Sequence, residues 1–151
     1  MGIELTWTVE ARPLADEAVV AAVEAALAHG GRPGLAVEVV LVDDPTLASL
    51  HEQWLGDPSV TDVMAFDLGE EGEGAAAEVY ASVDRAAALA AERGVEWARE
   101  LALYLVHGTL HLCGFDDHED EEREAMRAAE AAVMASLGYA PDPRPHDLEG
   151  T

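Results

Sequence analysis

VEWARELALYLVHGTLHLCGFDDH, residues 95–118, holds both the longest apolar helical pattern and the densest set of metal donors in the chain. Val95–Cys113 reads as one apolar helix that Gly114 stops. His107 and His111, four residues apart, then share one helix face with a rise of about 6 Å. Two imidazoles so placed can share a tetrahedral ion, each about 2.0–2.1 Å from it. On an apolar helix they would otherwise face a core at a desolvation cost. A glycine after a helix can take the left-handed conformation and reverse the chain. Gly114 is therefore expected to fold the following residues back towards the histidine face. Three protein ligands and one open position characterise a catalytic zinc site. In the extended zinc-protease pattern the third ligand lies six residues past the second histidine, with a glycine midway; here those positions are Asp117 and Gly114. Spacing favours Asp117 as third ligand, and His118, the softer donor one residue on, is the alternative. The proteases' general-base Glu follows their first histidine. Here that position is Gly108, so their mechanism does not transfer. The expected cofactor is one Zn2+ per chain, with another divalent metal as the alternative, and His107 and His111 stand at the catalytic centre.

Glu100 lies seven residues before His107, two turns back on about the same face. It could orient His107 or Arg99, or be a helix N-terminal charge in solvent. Cys113 differs in helical phase from His111 and reads as a small apolar packing residue. As the single cysteine, it excludes an internal disulfide and any Cys-pair zinc site within one chain. His29, His51 and His146 stand in surface-like contexts.

Working outward, Glu78–Val83 and Thr61–Phe66 read as strands flanking the acidic, Gly-rich loop Asp67–Ala75. Leu35–Val42 is a short β-branched run and so a buried strand, and Ile3–Val9 alternates as a strand does. Helices are expected over Pro13–Ala28, from an Asp44-Pro45 cap to near Gly56, over Asp84–Glu92, and over Glu119–Leu137. Without a strict βαβ rhythm, this order predicts an α+β fold: a small mixed four-stranded sheet packed with about five helices. One domain over residues 1–138 is expected, followed by a loose tail at 139–151.

The chain has 151 residues, half of them apolar, enough for one domain with a proper core. No run approaches the roughly 18 apolar residues of a membrane span, and MGIELTWTVEARP lacks the features of a secretory signal, so a cytoplasmic location is expected. Eight basic residues face thirty-one acidic ones, a net charge of −23. That charge keeps a protein soluble and repels RNA phosphates at long range, so an RNA binder needs a metal or a locally positive pocket. Dinucleotide, phosphate-loop and Gly-x-Ser-x-Gly motifs are missing from the sequence.

HGTLHLCGFDD, residues 107–117, together with Thr61-Asp62-Val63-Met64-Ala65-Phe66, resembles the YbeY family of metal-dependent endoribonucleases implicated in ribosomal RNA maturation. Thr61–Phe66 looks like that family's Thr-Asp-Val-Leu-Ser-Phe strand, and the order strand, acidic loop, strand, histidine helix also fits, over roughly residues 35–138. The resemblance implies a zincin-like site on a small mixed sheet. It implies a single-strand-specific endoribonuclease acting in small-subunit rRNA 3′-end processing and ribosome quality control, with ribosomal RNA and ribosomal proteins as partners and neither DNA nor membrane. The family usually presents three histidines, where this chain has Asp117 followed by His118. Leu55 stands where many members carry an arginine thought to hold RNA, and Glu78-Val79-Tyr80 lacks a frequent Gly-Asp. Thr61 and Asp62 read as turn residues opening a strand rather than catalytic groups. Two other classes stay open: a metal hydrolase of peptides or small molecules, and a non-catalytic ribosome-assembly factor with a structural metal.

Overall fold

A computed structural model describes residues 2–55, 63–67, 76–116 and 118–141, with Trp54 and Leu55 as backbone only. The described elements are β1 (Ile3–Trp7), α1 (Asp16–His29), β2 (Val37–Val42), α2 (Asp44–Leu55), β3 (Val63–Asp67), β4 (Ala77–Ser82), α3 (Val83–Arg93), α4 (Trp97–Leu112) and α5 (Asp120–Ser136). The sheet order is β1-β2-β4-β3, with β1 and β4 parallel to β2 and β3 antiparallel to β4. The expected α+β architecture, with a mixed four-stranded sheet and five helices, is therefore present.

Period-2 alternation divides the sheet between two apolar clusters. Val37, Val39 and Leu41 of β2, Ala77, Val79 and Ala81 of β4, and Val63 of β3 join the main core with α1, α3, α4 and α5. Val42 and Met64 point to the opposite face, where they meet Leu47 of α2 with Val40, Leu50, Phe66 and Tyr80 around them. A helix apolar all round must be buried all round. α4 obeys this: every residue from Glu100 to Leu110 is buried.

Gly114 terminates α4 as expected, at φ +98°. Its N–H reaches the His111 carbonyl and that of Phe115 reaches the Leu110 carbonyl, both at 3.1 Å. These two bonds form a Schellman motif, which satisfies end carbonyls and turns the chain. Arg32 secures the same end: its guanidinium donates to the Leu112 carbonyl at 2.8 Å and to Asp67 of β3 at 3.0 Å.

Expected boundaries shift at several elements. α1 begins at Asp16, three residues after Pro13. β1 ends at Trp7, whose indole N–H donates to Asp16 at 2.8 Å. At α2 the cap is Asp43 rather than Asp44: Asp43 Oδ1 accepts the Thr46 N–H at 2.8 Å, while Asp44 takes the Ser82 hydroxyl instead. The bonds from Thr46 hold the Asp43 carboxyl below its ordinary value of 3.8. A depressed carboxyl contributes stability above its unfolded value and loses it as pH falls through the folded one. Asp43→Ala should therefore lower stability by about 1 kcal/mol at pH 7. In urea titrations its gap from wild type should close on acidification below the ordinary carboxyl value; a pH-independent gap would rule out the cap as its source.

Residues 68–75 of the expected acidic loop, Thr61, Asp62, His146 and residues 142–151 lie outside the described residues. Of the expected tail, Tyr139 packs against the main core and Ala140 accepts a bond from Arg99 at 2.9 Å.

Candidate metal centre

α4 carries His111 in its last turn and His107 one turn before it. His107 is fully buried, and His111, next to the Gly114 reversal, is half-buried. Their Nε2 atoms face one another at 3.1 Å, with the rings edge to face at 4.7 Å between centroids. Two nitrogens each 2.0–2.1 Å from one tetrahedral ion stand about 3.3 Å apart. The pair thus fits a shared ion, and the same separation serves a hydrogen bond between the rings.

The third donor is where the described residues stop. Asp117 lies outside them. His118 has a 77% exposed side chain, its Nε2 3.1 Å from Asp116 Oδ1. Among the described residues, no group of three or more His, Cys, Asp or Glu side chains is placed to hold an ion.

Behind the pair stands a group that sequence reading missed. Glu130 Oε2 of α5 lies 2.5 Å from His107 Nδ1, and Arg127 Nη1 lies 2.7 Å from both Glu130 oxygens. The missed signal is one of pattern. Met126, Ala129, Val133 and Met134 form the buried stripe of α5, and Glu130 falls inside it. An acid on an apolar stripe needs a partner. Glu100 is buried and pairs with Arg93 of α3, so it is not a charge in solvent. His51 is also buried, on α2, rather than at the surface. His29 is exposed. Cys113 packs against the core, and burial pushes its thiol up, as befits a packing residue.

Gly108 has a steric reason. A Cβ there would stand 2.8 Å from Val63 Cγ2 and 3.2 Å from Val79 Cγ1, so α4 crosses β3 and β4 at a distance that any side chain at 108 would force to widen. The general-base Glu of the zinc proteases has no room at this position.

The positive charge near the centre is already engaged. All eight basic residues are arginines. Arg32 pairs with Asp67, Arg93 with Glu100, Arg123 with Asp120 and Arg127 with Glu130.

A family model described as Endoribonuclease YbeY matches residues 7–138. The chain belongs to the YbeY family. The match begins at β1, well before residue 35, where the motif resemblance starts. The Endoribonuclease YbeY of Carboxydothermus hydrogenoformans is 36% identical over 118 residues, covering 78% of this chain and 82% of that protein. The Endoribonuclease YbeY of Azorhizobium caulinodans is 37% identical over 149 residues, covering 93% and 92%. The solution structure of TM1509 from Thermotoga maritima overlays with a TM-score of 0.57 across 95% of this chain and 99% of that one. At 20% identity, that likeness speaks for the fold alone. No helix among the described residues is long and apolar enough to cross a membrane.

Proposed function

We propose that this chain is a zinc-dependent, single-strand-specific endoribonuclease that acts in ribosomal RNA maturation at the small-subunit 3′ end and in ribosome quality control. The observation that carries the reading is the meeting of His107 and His111 Nε2 at 3.1 Å in a chain whose relatives are endoribonucleases by name. His107 and His111 hold the ion, with Asp117 as third ligand and His118 as the alternative. When bound, such an ion supplies Lewis-acid charge at a phosphodiester and acidifies water. The half-buried His111 marks the side from which a substrate reaches the pair, since His107 is enclosed. Single-stranded RNA suits that approach, because a strand with unstacked bases can bend to present a phosphodiester to the pair. Gly108 stands where the zinc proteases carry the glutamate that serves as base in peptide hydrolysis, which disfavours a peptidase. The −23 charge suits basic ribosomal proteins as partners in the cytoplasm.

The deciding experiment measures bound metal and RNA cleavage together. Wild type should carry one zinc per chain, His118→Ala should retain it, and Asp117→Ala should lose most of it. Chelation should abolish cleavage of a ribosomal RNA fragment with a single-stranded 3′ end, and added zinc should restore it. Metal-free wild-type protein that still cleaves would sink the reading.

A further inference from the structure

We propose that Glu130 is a positioning residue for the ligand pair: it fixes the tautomer and ring plane of His107, and Arg127 in turn fixes Glu130. This rests on the reading of His107 and His111 as ligands.

A neutral imidazole carries its proton on one nitrogen and a lone pair on the other. Only the tautomer protonated on Nδ1 offers Nε2 to an ion. A carboxylate accepts and does not donate, so Glu130 Oε2 at 2.5 Å from Nδ1 selects that tautomer. His107 is fully buried, so the tautomer is set by the protein rather than by solvent. In the metal-free chain the His107 lone pair then accepts the His111 Nε2–H across the 3.1 Å gap. The pair is held ring to ring, ready to open towards a shared ion.

Glu130 reaches across from α5, 23 residues further along the chain. Its own placement is set from the same helix. Arg127, one turn earlier, bridges both carboxylate oxygens at 2.7 Å. The guanidinium offsets a carboxylate that is 7% exposed and stops it rotating away from the ring. An apolar residue at 130 would complete the Met126–Val133 stripe without this penalty. The acid is therefore explained by His107 rather than by packing. Carboxylates behind ligand histidines raise ligand basicity and hold ring orientation, and losing one typically weakens metal binding by about 10–100-fold.

The test uses zinc alone, titrated into the purified full chain against a chromophoric chelator, with nitrogen NMR of the metal-free histidines as a second readout. Glu130→Gln should bind zinc about 10–100-fold more weakly. It should also change His107 from a single Nδ1-protonated tautomer to a mixture. Arg127→Met keeps the carboxylate, so the tautomer should persist while zinc affinity falls several-fold. If Glu130→Gln matches wild type in both affinity and tautomer and is merely less stable, Glu130 is an interhelical anchor and the proposal is overturned. Should Glu130→Gln fail to fold, Arg127→Met decides, since wild-type affinity there overturns the proposal equally. A wild-type chain that binds no zinc would instead overturn the ligand reading, and the tautomer comparison would still decide the role of Glu130.

Discussion

His111→Ala should abolish bound zinc and lower kcat/KM for RNA cleavage by about a thousandfold or more while leaving the fold in place. The magnitude follows from the charge stabilisation a bound ion provides, several kcal/mol, with each 1.36 kcal/mol worth tenfold in rate. The fold should survive because His111 is half-buried at the last turn of α4, and alanine is a good helix former. His107→Ala should behave differently. It removes the buried imidazole that Glu130 faces, leaving a carboxylate enclosed with only Arg127, at a further stability cost of about 1–3 kcal/mol. Circular dichroism with metal analysis separates the two variants. A His111→Ala protein that is folded, zinc-free and fully active would exclude the metal from the reaction.

Gly108→Glu, which writes the protease pattern into α4, should prevent folding. The first atom of any side chain at 108 would already stand 2.8 Å from Val63 Cγ2. Val63 and Val79 are both fully buried, and valine has little χ1 freedom with which to yield. Gly108→Ala tests the contact more gently. Alanine gains about 1 kcal/mol of helix propensity over glycine, against an overpacking cost of about 1–3 kcal/mol. The net should be a loss of about 1 kcal/mol, read as a lower urea midpoint. The glutamate adds an unpaired buried charge, several kcal/mol in a molecule whose whole stability is about 5–15 kcal/mol. A gain in stability from Gly108→Ala would show that α4 and β3 do not pack as closely as described.

What could be read from the chain depended on distance along it. The burial of α4 was legible because a helix apolar on every side has no solvent face. The Gly114 stop was legible because a left-handed cap strongly favours one residue type. The His107–His111 meeting was legible because a spacing of four residues sets a single turn. Glu130 was not: its contact with His107 depends on the angle at which α5 crosses α4, which no local spacing encodes. Its place on a buried stripe is nonetheless visible in the spacing of Met126, Ala129, Val133 and Met134. The pairing of Glu100 with Arg93 was hidden for a related reason. Two helical turns separate it from His107 by about 10.5 Å, beyond a carboxylate's reach, and Arg93 on the neighbouring helix lay nearer. Asp43 and Asp44 were exchanged as caps because both are good N-cap types and adjacent. Only the partners, Thr46 for one and Ser82 for the other, tell them apart.

The internal pairing of Arg32, Arg93, Arg123 and Arg127 has a kinetic consequence. Each of these cations is matched by a carboxylate within the fold, so these four do little to offset the net charge of −23 that a nucleic acid drifting in from solution meets. Beyond the Debye length of about 8 Å at physiological salt it feels little; inside that distance it is turned back. Encounter then lacks the electrostatic steering that lifts association above about 10⁵–10⁶ M⁻¹s⁻¹. Added salt should quicken such encounters rather than slow them. A catalyst of this kind works well when its substrate is brought to it already tethered, where linkage to a common scaffold replaces free diffusion with a high local concentration. On a ribosome, proximity would do for this protein what surface charge does for most nucleases.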